Sequence, residues 1–114
     1  MKKLLLVLLC LPLFTLAQQT YIPDDNFEAY LESNGMGDGI ANNDSVYTYL
    51  IAAETSLFLS YNAIVDLTGI EDFIALEFLA CSNNPLTSLD LSNNTALVFL
   101  DCLSLNQPFL FQEN

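Results

Sequence analysis

Histidine and tryptophan are absent from the chain, and its only basic side chains are Lys2 and Lys3. Residues 18–114 therefore carry fourteen Asp and Glu against no Lys, Arg or His, a side-chain charge of −14. Phosphate backbones are gripped by Lys and Arg, which sets nucleic acid aside as a partner. Attraction to anionic lipid falls for the same reason. No ion pair can form within residues 18–114, so each carboxylate must be solvated, hydrogen-bonded to backbone N–H groups, or neutralised by a cation from solution. Without His or Lys there is no evident base to activate a Ser, Thr or Cys nucleophile. Nothing in the spacing places two carboxylates across a cleft. No catalytic residue and no enzymatic activity are expected.

Long hydrophobic runs are also scarce. One exists, Leu4 to Phe14, preceded by Met1-Lys2-Lys3 and followed by Thr15-Leu16-Ala17. A charged start, a short apolar stretch and small residues before Gln18 read as a signal peptide over residues 1–17. The run is too short to span a bilayer with ease. A lipoprotein reading at Cys10 fails, because Leu9 precedes the cysteine and the apolar run continues past it. The chain is therefore expected to be secreted or cell-surface, with no membrane insertion after cleavage.

What is present is a repeat. Leu76-x-x-Leu79-x-Cys81-x-x-Asn84-x-Leu86-x-x-Leu89 is followed by Leu97-x-x-Leu100-x-Cys102, and an earlier copy runs Leu57-x-Leu59-x-x-Asn62-x-Ile64-x-x-Leu67-x-x-Ile70. The offset is 22 residues from Leu57 to Leu79 and 21 from Leu79 to Leu100. A period of about 20–29 residues with this spacing marks leucine-rich repeats. Each unit buries its apolar face only by stacking on its neighbours, and the stack presents a curved sheet. The expected fold is an α/β repeat: a short solenoid with a parallel β-sheet on its concave face and a helical cap at the N-terminus. The parts are residues 18–55 for the cap and 56–114 for about two and a half repeats, the last degenerate. Asp66 to Phe73 is long enough for a short helical turn, whereas Ser88 to Asn94 suits an extended or tightly turned return. Leu105 stands where Asn is expected, and Gln107 to Phe111 keeps little of the pattern. Either this tail folds back over the open end or the array continues beyond Asn114, and the second is expected.

Asn62 and Asn84 fall where each coil turns, and are expected to satisfy backbone groups of their own and adjacent coils. Cys81 and Cys102 share one repeat position. In-register strands lie about 4.8 Å apart, within disulfide range, and export permits oxidation. Side chains leaving flat neighbouring strands in one direction make a poor bridge, so free buried thiols are expected, with the disulfide as the alternative. Two cysteines without His cannot complete a zinc site.

Between the apolar run and the repeats, Asp25 is placed to cap a helix, with Glu28 completing an Asp-x-x-Glu capping box. Phe27, Tyr30 and Leu31 form one apolar helix face. Asn34-Gly35 ends the helix, and Val46 to Ile51 reads as a short strand or irregular entry into the first repeat.

From Tyr21 onward the chain resembles secreted bacterial leucine-rich repeat proteins of the internalin-like class. The resemblance rests on Ile22-Pro23-Asp24-Asp25-Asn26-Phe27-Glu28-Ala29-Tyr30-Leu31, on Asp66-Leu67-Thr68-Gly69-Ile70-Glu71, and on Leu86 to Leu97 leading into Leu100-Asp101-Cys102. It implies export and the binding of a protein or cell surface by the concave sheet.

The strand positions that alternate with the inward leucines are Ser56, Phe58 and Ser60, then Phe78, Ala80 and Ser82, then Phe99, Asp101 and Leu103. Phe58, Phe78, Phe99, Asp101 and Ser82 are the candidate ligand face, since exposed aromatic residues in a row serve as binding anchors. Calcium is the alternative ligand. Asp38 and Asp44, with Asn34, Asn42 and Asn43 in a Gly-rich loop, offer hard oxygen atoms. An EF-hand loop begun at Asn34 fails, with Met36 at its third position and Ser45 at its twelfth. Such residues also serve any turn, and no cofactor is expected.

Overall fold

The computed structural model describes residues 18–103. The signal peptide expected over residues 1–17, Leu105 and the Phe109–Phe111 run lie outside the described residues.

The chain enters as strand β1 (Gln19–Tyr21), which pairs antiparallel with β2 (Ser45–Tyr47), Thr20 opposite Val46. Helix α1 (Asp25–Ser33) lies between them. Its N-cap is Asp24, one residue earlier than the sequence pattern suggests. Asp24 Oδ1 accepts from the N–H groups of Asn26 (2.9 Å) and Phe27 (3.0 Å), while Glu28 turns away from the helix start to bond the loop before β2. The box pattern misled because a carboxylate buried among backbone donors elsewhere outcompetes a reach back to the helix end. Phe27 and Leu31 point into the core. Gly35, at φ +78°, ends α1: the Met36 N–H reaches the Leu31 carbonyl at 2.8 Å, the six-to-one closure in which glycine is preferred.

The stretch Val46–Ile51, expected as a short strand or irregular entry into the first repeat, divides. Val46 lies in β2, but Thr48–Ala52 forms a one-turn helix, α2, that sends Ile51 into the core. The run has no clean alternation, and tertiary burial of Ile51 decides it.

Three parallel strands follow, one per repeat: β3 (Ser56–Phe58), β4 (Phe78–Ala80) and β5 (Phe99–Asp101). Leu57, Leu79 and Leu100 align across the sheet, matching the 22- and 21-residue offsets. The return half after β3 contains a 3₁₀ turn, Ile70–Asp72, while the one after β4 is made of turns alone. Behind the sheet, Leu57, Leu59, Ile64, Leu76, Leu79 and Leu86 are fully or almost fully buried. Burying each such side chain contributes roughly 1.5–3 kcal/mol. Phe27 of α1 stacks on Phe73 of the first return half, ring centroids 6.1 Å apart, so both regions share one core.

Polar contacts reinforce that seam. Asp24 Oδ2 accepts from the N–H groups of Val65 (2.8 Å) and Asp66 (3.0 Å), and the Asn26 side-chain amide donates to the Ala63 carbonyl. Gly69 sits at φ +105°, where an added Cβ would collide with Ile22 Cδ1 and lie 2.8 Å from the Tyr21 carbonyl oxygen. Only glycine allows the two backbones to pass this closely.

Cys81 and Cys102 form a disulfide, with Cα atoms 4.5 Å apart. Free thiols were expected from strictly parallel side chains on flat strands. Each cysteine instead lies one residue past its strand, where backbone pairing persists (Cys81 N–H to the Asp101 carbonyl at 2.7 Å, Asn83 N–H to the Leu103 carbonyl at 3.1 Å) and holds the two Cα atoms within bridging distance.

Candidate binding face

The sheet has one face committed to the core and one that is open. On the open face Phe78 stands beside Phe99 in register, with Ser56 on the other flank. The next column holds Phe58, Ala80 and Asp101. Phe78 and Phe99 stack with ring centroids 4.5 Å apart and planes 3° apart, while Phe58 meets Phe78 diagonally at 5.2 Å and 42°. The three rings form one continuous row across all three strands. Lateral packing does not bury them: Phe58 is 59% exposed and Phe99 48%. Aromatic side chains have few rotatable bonds and pack here on one another, so they lose little freedom when a partner docks, which is one way such residues become anchors.

The polar members of the predicted face are coupled. Ser82 Oγ donates to Asp101 Oδ1 at 2.7 Å, and Asp101 Oδ2 has no hydrogen bond among the described residues. Tyr30 from α1 reaches the outer edge of the sheet, where its hydroxyl accepts from the Phe58 N–H at 3.4 Å. That contact gives a partner to an N–H on the edge strand.

The predicted asparagines differ from one another. Asn84 is buried: its Oδ1 accepts from the N–H groups of Asn62 and Ile64, both at 3.0 Å, and its Nδ2 donates to the carbonyls of Leu59 and Cys81. It thus joins its own coil to the preceding one. Asn62 is only half-buried and donates locally to the Ser60 carbonyl, because no leucine-rich coil precedes it to bond. A third asparagine escaped the sequence reading. Asn94 is buried and donates to the carbonyls of Ile70 (2.8 Å) and Phe73 (3.1 Å) in the previous return half. It lies in the variable half of the repeat, where no spacing signalled it.

The candidate calcium residues Asp38 and Asp44 are put to separate uses. Asp38 accepts from the Ile40 N–H, the Asn43 side-chain amide and the Gln19 side-chain amide. The Asn43 bond, opposed by some desolvation and aided by the Ile40 N–H, holds its carboxyl below the usual value of 3.8. Asp44 instead gathers with Asp25 and Glu28, carboxylate oxygens lying within 4.8 Å of one another. Glu28 is buried, and accepts from the N–H groups of Asn43 and Asp44, both at 3.1 Å. One turn along α1, Glu32 accepts from the N–H groups of Asp38 (2.9 Å) and Gly39 (3.0 Å). Two helix carboxylates at i and i+4 thus fasten the loop by its amides. Asn34 and Asn42 take no part: Asn34 donates back to Tyr30 at the helix end, and Asn42 is exposed at φ 58°.

No protein-family model matches the chain. Internalin J of Listeria monocytogenes serotype 4b (strain F2365) is 37% identical to it over 75 residues, which make up 66% of this chain and 8% of internalin J. Among solved structures, the functional domain of InlJ from Listeria monocytogenes, described as including a cysteine ladder, matches with a TM-score of 0.58 at 28% identity. The match covers 77% of this chain and 23% of that one. The chain thus spans a small part of the length of either relative. The likeness, with one short parallel strand per repeat, establishes a leucine-rich-repeat-type fold.

Proposed function

We propose that this internalin-like bacterial leucine-rich repeat segment is an exported, non-catalytic module that binds another protein or a cell surface through the open face of its sheet. The observation that carries the proposal is the row Phe58–Phe78–Phe99, exposed although its rings pack on one another. Monomeric proteins rarely leave ordered apolar surface uncovered without a use for it. On this reading residues 1–17 direct export, residues 18–55 cap one end of a short solenoid, and residues 56–114 supply the repeats. Asp101 and Ser82 form the polar border of the contact surface. Absence of His from the chain and the pairing of Cys81 with Cys102 support a role without covalent or acid–base chemistry. No helix among the described residues is long and apolar enough to cross a membrane.

The test is binding of the labelled full chain to an array of extracellular proteins and to intact cells. Changing Phe78 and Phe99 together to Ser should reduce the strongest signal at least tenfold. Changing Asp66 and Asp90, exposed in the return halves, to Asn should not. Equal binding by the wild-type and Phe-to-Ser chains would remove this face from the function.

A further inference from the structure

Charge and aromatic geometry together restrict what the face accepts. Residues 18–114 hold no basic side chain, so none within that stretch shields its acidic surface. Phe99 and Asp101 lie two residues apart on one strand and project to the same side, about 7 Å apart along the backbone. Phe99 is stacked on one ring face by Phe78 and is exposed over 48% of its surface. Asp101 Oδ1 is fixed by Ser82, while Oδ2 is without a partner among the described residues. An exposed ring beside an oriented, half-satisfied carboxylate suits a planar cation that stacks on the ring and donates in its own plane.

We propose that the face takes an arginine-bearing basic segment of a partner protein, with a guanidinium over the row ended by Phe99 and donating to Asp101. This rests on the reading of the sheet as a binding face. Arginine stacks on aromatic rings and presents fixed in-plane donors, which lysine's ammonium does not. The uncompensated negative charge would steer a basic segment toward the molecule, and this steering weakens as salt rises. Among biological macromolecules the planar guanidinium is carried by arginine side chains, which makes a protein segment the source of the cation.

The experiment uses fluorescence anisotropy with the full chain in 150 mM salt, and three labelled eight-residue probes: all arginine, all lysine and all citrulline. Charge alone predicts equal binding of the arginine and lysine probes. The proposal predicts a preference for arginine of about three- to fivefold, no measurable citrulline binding, and loss of the arginine preference in Phe99→Ser, in Phe58→Ser and in Asp101→Asn. Asp66→Asn with Asp90→Asn should weaken both cationic probes alike and keep the preference. Circular dichroism of each variant establishes that the fold is retained, and the two Phe variants remove separate exposed rings.

An arginine preference that survives in all three face variants, or one that never exists, overturns the proposal. If the Phe78 and Phe99 variant loses surface binding in the array while wild-type shows no arginine preference, the face binds but its partner is not basic, and this inference alone falls. If neither assay responds to the aromatic row, the binding-face reading falls with it.

Discussion

The loop between α1 and β2 and the open face of the sheet solve opposite problems with the residues available to an anionic chain. In the loop, polar side chains turn inward on the protein's own backbone. Glu28, Glu32 and Asp38 together accept from the N–H groups of Asp38, Gly39, Ile40, Asn43 and Asp44, and Asp24 does the same at the seam with the first repeat. On the sheet, the ladder already pairs the backbone, so outward side chains have no such duty. The row of phenylalanines and the Ser82–Asp101 pair face outward and bond little beyond one another. A stretch without basic side chains, such as residues 18–114, can satisfy its carboxylates with backbone amides, since hydrogen bonds to an ionised carboxylate are about twice as strong as neutral ones. The difference separates carboxylates that hold the fold from outward residues that the fold itself does not use.

The comparison is broken most severely at Asp24, whose carboxylate accepts four backbone N–H groups, two in α1 and two after Ile64. Asp24→Ala should cost about 2–4 kcal/mol, combining a lost N-cap with stranded donors in the first repeat. Urea denaturation would measure it. On the sheet, Phe99→Ser should cost under about 1 kcal/mol, because the ring is half in water already. Similar losses for the two would erase the distinction between structural and available residues.

The next effect concerns the bond that fastens β4 to β5. The Cys81–Cys102 bridge encloses 21 residues in sequence separation. Reduction with dithiothreitol, or replacement of both cysteines by Ala, should lower stability by about 3 kcal/mol on the chain-entropy account. The loss should appear first in hydrogen exchange at β5 amides, while β1 and β2 keep their protection. Uniform loss of protection would mean that both regions unfold as one unit.

Legibility in the sequence divides along the same line. Strand register was readable because period fixes it: Leu57, Leu79 and Leu100 cannot all face the core unless β3, β4 and β5 align as they do. The aromatic row followed from that alignment. The loop was less readable, because Asp24 and Asp25 have equal standing as caps until Val65 and Asp66 arrive beside one of them, and those donors lie some 40 residues away. Glu28 fitted a local box but answers to Asn43 and Asp44. Likewise Asn94 was silent because its acceptors, Ile70 and Phe73, belong to another coil. The disulfide was misread through the geometry of ideal flat strands, whereas the paired backbones here hold the two Cα atoms 4.5 Å apart.

A smaller effect, of opposite sign, lies where β3 meets its turn. Tyr61 has φ 61° and Asn83, its equivalent one repeat on, has φ 60°. The left-handed region suits Asn far better than a bulky aromatic residue, and Tyr61 is 79% exposed, with little packing to offset the strain. Tyr61→Asn should therefore raise stability by about 0.5–1 kcal/mol, read as a higher urea midpoint at unchanged slope. A loss of stability would show that the tyrosine ring makes contacts that outweigh its backbone cost.

The smallest effect, Asp38→Asn, sharpens the comparison through pH. The Asn43 side-chain bond is the largest influence lowering the Asp38 carboxyl below 3.8. A depressed folded value means that the ionised form is favoured by folding. Its contribution is therefore complete above pH 3.8 and is lost as pH falls through the lower folded value. The difference in melting temperature between wild-type and Asp38→Asn should be constant from pH 7 to about pH 5 and should close in more acidic solution. The sign also tests whether the loop needs a metal ion. If hydrogen bonds from Asn43 and Ile40 are what hold the Asp38 carboxylate, millimolar calcium at pH 7 should leave the difference between wild-type and Asp38→Asn unchanged. A difference that grew with calcium would instead assign the loop's acidic residues to an ion.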